Sequence, residues 1–275
     1  QDGTRTELWQ YATWYESQRG NISEEEVFQK MDYLVDIMEH AVAEGLAGTV
    51  YEDRILGPQA HLIAEKKNGN TLVPCSILNE VIQDITAIME TKSSMGVIVA
   101  APTAGACACL PGTLIATAHS LGLSREELVK GMLAAGLIGV FIAESATFAA
   151  EVAGCQAECG SGSGMAAAGL VQLMHGTAQQ ALDAASVALQ NISGLACDPV
   201  ANRVEVPCLG KNIMGGSNAM SSANMILAGY DKVIPLDETI VAMYDIGIKL
   251  PLELRCTYGG LGKTPTSNFI RKRLT

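Results

Sequence analysis

Three of the eight cysteines stand where the chain can aim them at one another. Cys155 lies in Gly154-Cys155-Gln156-Ala157-Glu158, Cys197 opens Cys197-Asp198-Pro199-Val200, and Cys208 closes Val206-Pro207-Cys208. Glycine and proline flank them, so no helix face dictates where the thiols point, and loop thiols can turn inward to share a metal. A structural zinc site normally takes paired C-x₂₋₄-C knuckles. Cys155 and Cys159 supply one such pair, whereas Cys197 and Cys208 are too far apart to supply the second. Three thiolates also suit a [4Fe–4S] cluster, on which they leave one iron without a protein ligand, free to act as a Lewis acid toward a hydroxyl. Spacing alone leaves zinc, cluster and inert buried thiol open. Cys107 and Cys109 read as core thiols beside the site, and Cys75 and Cys256 as structural.

Chemistry at such a metal needs a proton acceptor and groups that hold a substrate. Among His40, His61, His119 and His175, the best base is His61, because it sits in an irregular stretch while the others lie within or at the ends of helices. The turn Pro102-Thr103-Ala104-Gly105 offers a hydroxyl at Thr103 and a closely approachable backbone at Gly105; packing of buried helices is the competing role. Lys211 and Asn212 directly follow a candidate ligand. A cation there can hold a substrate carboxylate or stabilise an anionic metal centre.

The elements that must position these groups read as helices. Ser23 with Glu26, and Ser124 with Glu127, are capping-box pairs. The first opens a helix that carries Val27, Met31, Leu34, Val35 and Met38 at helical spacing and stops near Gly45. The second opens a helix from Arg125 to about Ala150, apolar nearly all round and therefore central and buried. Between them, residues 51–74 form an irregular region, and an amphipathic helix covers about Ile77–Glu90. Further helices are expected over Met165–Met174, after Thr177 and Gln180, over Ser217–Ala228 and over Leu236–Lys249, with an extended tail beyond. Period-two alternation is rare, Arg203–Val206 being the best and a short one. The reading is all-α: residues 1–22 as an N-terminal extension or short helix, and 23–275 as one domain whose Gly/Pro-rich loops converge on the cysteines.

Composition narrows the partners. A net charge of −11 argues against nucleic acid and anionic membrane, which need a basic patch. No charge falls between Lys92 and Arg125, yet Pro102, Pro111 and several glycines break that stretch, so it reads as chain buried around a site and not as a membrane span. No hydrophobic signal segment precedes the first helix, so the expectation is a reducing cytoplasm, where surplus thiols serve as ligands, nucleophiles or core fillers.

Four stretches resemble a known family: Val99-Ala100-Ala101-Pro102-Thr103-Ala104-Gly105-Ala106-Cys107; Gly154–Glu158 with Met165-Ala166-Ala167-Ala168; Cys197–Val200 through Val204-Glu205-Val206-Pro207-Cys208; and Gly259-Gly260-Leu261 with Thr264-Pro265-Thr266. With the run from Val233 to Leu250, they make the chain similar, from Ser23 onward, to the α chain of bacterial iron–sulfur-dependent L-serine dehydratases. The resemblance implies an all-helical domain, a [4Fe–4S] cluster on Cys155, Cys197 and Cys208, and no pyridoxal phosphate. It implies loss of water from a small hydroxy amino acid: the open iron takes the β-hydroxyl, a base removes the α-proton, and the resulting aminoacrylate becomes pyruvate and ammonia. The family's Ser-Ser-Ser-His-Thr motif, carried on a β domain, is not in this chain, which implies a separate β chain as partner and leaves room for a higher oligomer. Related readings are an L-cysteine desulfidase, a threonine dehydratase, or a non-catalytic metal-binding subunit.

The chain departs from the family pattern in places. Arg54-Ile55-Leu56-Gly57-Pro58-Gln59 replaces a Ser-Gly-Leu-x-Gly-Gly run, His61 stands at a lysine position, Lys211 replaces arginine before the retained Asn212, Asn202 replaces glycine, and Cys159 is additional. An altered loop near Gly57 fits a shifted specificity.

Overall fold

Helix-start signals in the sequence become helix starts in the structure, a computed structural model that describes residues 5–66, 69 and 71–274. The first six helices are α1 (Leu8–Gly20), α2 (Glu24–Ala47), α3 (Ala60–Lys66), α4 (Ser76–Ser93), α5 (Cys109–Leu121) and α6 (Arg125–Ser145). The second six are α7 (Ala150–Ala153), α8 (Ser161–Leu173), α9 (Ala178–Ile192), α10 (Cys208–Leu227), α11 (Leu236–Lys249) and α12 (Pro265–Leu274). Ser23 caps α2 by accepting from Glu26 N, while reciprocal capping boxes at Ser124/Glu127 and Thr177/Gln180 open α6 and α9. Among the described residues there is no strand; sheet-like pairing is limited to a parallel bridge between Cys197 and Arg255. The fold is all-α, in one helical domain.

Small residues decide how the helices stack. Every residue of α8 is buried, and α8 packs against α5, α6, α9 and α10. A Cβ on Gly169 would fall 2.6 Å from Leu114 Cδ1 and 3.0 Å from the Gly131 carbonyl, so the crossing of α8 with α5 and α6 needs a bare backbone. Gly45 does the same between α2 and α4, where a Cβ would lie 2.1 Å from the Ala87 carbonyl. Apolar side chains fill what remains: Ile85, Leu114, Leu128, Ile138, Leu173 and Leu189 are among the fully buried ones, each contributing roughly 1.5–3 kcal/mol by leaving water. The long apolar α6 is long enough to span a bilayer by length and composition; here 61% of its apolar window is buried, with α1 and α8 on its faces.

Two expectations need correction. α10 begins at Cys208, nine residues before Ser217, because Gly215 and Gly216 are contact points for Cys109 and Thr113 and not helix stops. The tail is not extended: Pro265 opens α12, with Thr264 Oγ1 accepting from Ser267 N. Of the two readings of residues 1–22, the short helix is the one found: Leu8–Gly20 is helical and packs on α6 and α2. Arg203–Val206, the best of the short alternating runs, is a turn leading into α10, in keeping with the all-α reading.

Candidate metal centre

The turn after α7 carries the first cysteine. Gly154 has φ +75°, and a Cβ there would sit 2.6 Å from Leu250 Cδ1, so glycine is required on both grounds. Gln156–Gly160 then form one wide π-helical turn, a rare form that is frequent at functional sites, directly before α8. Buried Gln156 fixes its orientation, donating from Nε2 to the Met243 carbonyl (2.6 Å) and accepting at Oε1 from Gly194 N (2.7 Å). The turn aims Cys155, Glu158 and Cys159 into a common space; Cys155 and Cys159 Sγ are 3.6 Å apart.

Cys197 arrives from the other side. Its N–H donates to the Leu254 carbonyl (2.8 Å) and its carbonyl accepts from Cys256 N (2.9 Å), a bridge that also places Cys256 against it. Asp198 then ties three segments together: Oδ1 accepts from Lys211 Nζ (2.7 Å) and Oδ2 from Leu261 N (3.0 Å). Between Cys197 and Cys208 the chain doubles back, with Val200 N donating to the Val206 carbonyl (2.8 Å). Asn202 takes φ +58° in that loop, a left-handed conformation that asparagine tolerates better than most residues, which explains how it replaces glycine.

The outcome is a set of ligand atoms from Cys155, Glu158 and Cys197 that all lie within 4.8 Å of one another. Cys208, at the head of α10, lies outside that tight set but is close enough to be coupled electrostatically to Cys197, Glu158, Lys92 and Lys211. Cys155, Cys197 and Cys208 are all buried, and Glu158 is half-buried. The thiol of Cys155 is held well above the ordinary range by its bond to Cys159, with burial adding to it. Cys197 is raised by its bond to Cys155 and then by burial. Burial, then Cys197, pushes Cys208 and Cys256 each up to about 12. Thiols packed this closely disfavour one another's thiolate forms unless a cation is supplied, and a bound metal deprotonates its thiol ligands outright. The donor set, with its thiols buried and its carboxylate half-buried, fits a thiophilic metal centre.

The remaining predicted residues fall into two groups. Thr103, Gly105, Lys211 and Asn212 surround the cysteines. Thr103 Oγ1 donates to Glu158 Oε1 (2.8 Å) and accepts from Ala106 N (3.1 Å). Lys211 Nζ donates to the Ala196 carbonyl (2.6 Å) as well as to Asp198. Asn212 is fully buried with every amide atom engaged: Oδ1 accepts from Ala108 N and Cys109 N, and Nδ2 donates to the carbonyls of Gly105 (3.0 Å) and Cys208 (2.9 Å). Its side chain therefore builds the site and has no surface to offer a substrate. His61 lies on the short helix α3 and not in an irregular stretch, with an exposed ring 3.7 Å from Glu65 one turn on.

A family comparison decides what this architecture belongs to. The family model described as serine dehydratase alpha chain matches residues 4–261. The chain belongs to that family. It is 43% identical over 254 residues to the probable L-serine dehydratase alpha chain of Bacillus subtilis, covering 92% of this chain and 84% of that one. It is 38% identical over 259 residues to the L-serine dehydratase alpha chain of Peptoniphilus asaccharolyticus, covering 94% and 89%. A longer protein named L-serine dehydratase, from Helicobacter pylori, is 35% identical over 213 residues, which cover 76% of this chain and 47% of that protein.

Sequence reasoning about this family member overlooked four groups. Glu158 was visible in the Gly154–Glu158 motif, but nothing in the sequence shows a carboxylate turning toward the thiols. Lys92, at the end of α4, reaches the same region: Nζ donates to the Val204 carbonyl (2.5 Å), and burial lowers its pKa while Cys107, Cys208, Glu205 and Glu158 act the other way. Cys256, read as structural, abuts Cys197. Glu205 anchors the divergent loop, accepting at Oε2 from Tyr51 Oη (3.0 Å) and from the N–H groups of Ile55 and Leu56 (both 3.1 Å). The Arg54–Gln59 loop is thus tied directly to the segment between Cys197 and Cys208. Cys75 is exposed, so its reading as a structural thiol fails.

Proposed function

We propose that this chain is the α subunit of an iron–sulfur-dependent L-serine dehydratase, a lyase that converts L-serine to pyruvate and ammonia without pyridoxal phosphate. The observation that carries the reading is the convergence of Cys155, Cys197 and Glu158, with Cys208 beside them, in a member of the serine dehydratase alpha chain family. Cys155, Cys197 and Cys208 would hold the [4Fe–4S] cluster, and Cys159 and Cys256 lie close enough to pack around it. When bound, the cluster supplies a Lewis-acidic iron to the substrate hydroxyl.

This chain's own residues supply position and charge. The Lys211–Asp198 pair locks the Cys197 loop to α10, so that the two ligand segments move as one. Asn212 pins the Gly105 turn to Cys208, and Thr103 holds the Glu158 carboxylate toward the thiols. Lys92 and Lys211 place positive charge near an anionic centre, which favours the thiolate forms. The loop at Arg54–Gln59, braced by Glu205 and by Glu90 through Gln59 N (2.6 Å), is the segment to which a changed substrate preference is assigned.

The base that takes the α-proton is assigned to a partner β chain, with His61 as the local alternative. Two findings support a two-chain enzyme: the relatives that match over most of their length are named alpha chains, and the Helicobacter pylori protein is matched over 47% of its length, leaving the rest to another domain. The test is anaerobic reconstitution with iron and sulfide, alone and with the β chain, followed by assays of pyruvate, 2-oxobutyrate and sulfide release from L-serine, L-threonine and L-cysteine. Cluster-dependent pyruvate formation that needs the β chain is expected. Tetrahedral zinc with no iron in anaerobically prepared protein would sink the reading.

A further inference from the structure

Among the described residues, Glu158 is the carboxylate that shares the tight ligand set with Cys155 and Cys197. It is held there from two directions. Thr103 Oγ1 donates to Oε1 at 2.8 Å, and Gly105 leaves the room it occupies, since a Cβ on Gly105 would stand 3.0 Å from Oε1 and 3.4 Å from Oε2. The π-helical turn that exposes Cys155 and Cys159 toward the centre turns Glu158 the same way. The Thr103–Gly105 turn, which the sequence suggests as a substrate cradle, is therefore occupied by a protein carboxylate. Glu158 is only half-buried, in contrast to the thiols, so of these donors it is the one with part of its side chain open to solvent.

We infer that Glu158 is an oxygen ligand to the metal centre in the substrate-free protein, filling the position that the three cysteines leave open and giving it up when a substrate oxygen arrives. Hard carboxylate oxygen among soft thiolates is the weaker and more exchangeable donor, which suits a position that must open. Thr103 acts as a positioning residue: its hydroxyl donates to Oε1 and holds the carboxylate toward the thiols. The inference rests on the cluster reading above, but the two fail separately.

The test uses the full chain reconstituted anaerobically with iron and sulfide, with metal and sulfide content measured first. The readout is the rate at which one iron is lost to a mild oxidant such as ferricyanide, followed by the EPR signal of the three-iron product. Glu158→Ala is expected to assemble a normal cluster and lose that iron about 10-fold faster than the unmodified protein, by analogy with the loss of other metal-orienting partners. Glu158→Gln, similar in shape but uncharged, should fall between the two. Thr103→Val keeps the carboxylate and removes its tether, with an expected acceleration of about threefold from one lost hydrogen bond; it also carries the test if the Glu158 variants do not fold. Full cluster content with unchanged iron-loss rates in the folded variants would overturn Glu158 as a ligand and leave the cluster reading standing. Failure of the unmodified protein to assemble iron and sulfide under the same conditions would overturn both.

Discussion

Two sets of cysteines are equally hidden from solvent and differ in almost everything else. Cys107 and Cys109 sit at and just before the start of α5, both fully buried, and burial is the leading reason their thiols are raised, that of Cys107 to about 12. Cys155, Cys159 and Cys197 are also buried, but for Cys155 and Cys197 the leading cause is a bond to another thiol. The first set faces helix backbone: Cys109 Sγ would be 2.7 Å from a Cβ on Gly215 and 3.5 Å from one on Gly162. The second set faces itself and a carboxylate. Burial therefore does not mark a metal centre; convergence of donors from separate loops does.

The sharpest way to break that contrast is to truncate one thiol from each set. Cys197→Ala should lower iron retention and L-serine turnover at least about 100-fold, the upper end of what loss of metal-site partners costs. Cys109→Ala should keep the metal and lose only about 1–2 kcal/mol of stability, the cost of a small buried cavity. Iron content by metal analysis and urea unfolding separate the two. Equal iron in both variants would erase the distinction.

Asn212 is the bridge between the sets, and removing it is the next largest effect. Its Oδ1 accepts from Ala108 N and Cys109 N, and its Nδ2 donates to the Gly105 and Cys208 carbonyls. Asn212→Ala strands these groups in a dry interior at about 1–3 kcal/mol apiece, so a loss of about 3 kcal/mol after partial relaxation is expected. Urea denaturation measures it. Because the same bonds set the approach of Cys208, metal retention should fall in parallel, whereas in Cys109→Ala it should not.

The two regions were also unequally legible in the sequence. The helical body follows from capping pairs and apolar spacing, as at Ser124/Glu127 and along α2. It was misread where glycines or prolines served packing and helix entry: Gly215 and Gly216 inside α10, and Pro265 at the head of α12. At the centre, the three cysteines and the Thr103–Gly105 turn stood out through their flanking Gly and Pro residues. What was not legible is who meets whom. Glu158 and Cys256 join the thiols through a π-helical turn and an isolated bridge, neither of which has a sequence signature. Asn212 showed its position after Cys208 but not that all its hydrogen bonds turn inward.

Asp84 tests whether the body has its own pH response, distinct from the centre. It is 7% exposed on α4, and burial first, then Glu80, raises it from 3.8 to about 7. The folded protein therefore keeps a proton on Asp84 between roughly pH 4 and 7 that the unfolded chain has released, and stability contributed by this group falls as pH rises through that window. Asp84→Asn removes the charge penalty. It should stabilise the protein by about 4 kcal/mol at pH 8 and by nearly nothing at pH 4, with unchanged metal content. Urea midpoints at the two pH values check it; a gain of the same size at both would mean that Asp84 does not titrate in this window.

The smallest expected effect probes the coupling between the regions most strictly. Ser124 caps α6 through a reciprocal pair with Glu127, whose carboxyl is held low by the Ser124 N–H and hydroxyl. Ser124→Ala should cost about 1 kcal/mol of global stability, the usual value of an N-cap. α6 packs along α8, and α8 continues directly from the π-helical turn that carries Glu158 and Cys159. If the body is a rigid support and the centre is built by its loops, the cap's loss should move the urea midpoint while iron retention and the rate of iron loss stay as they were. If fraying of α6 reached the turn through α8, iron loss would quicken in proportion to the lost stability, and the two kinds of cysteine would belong to one cooperative unit instead of two.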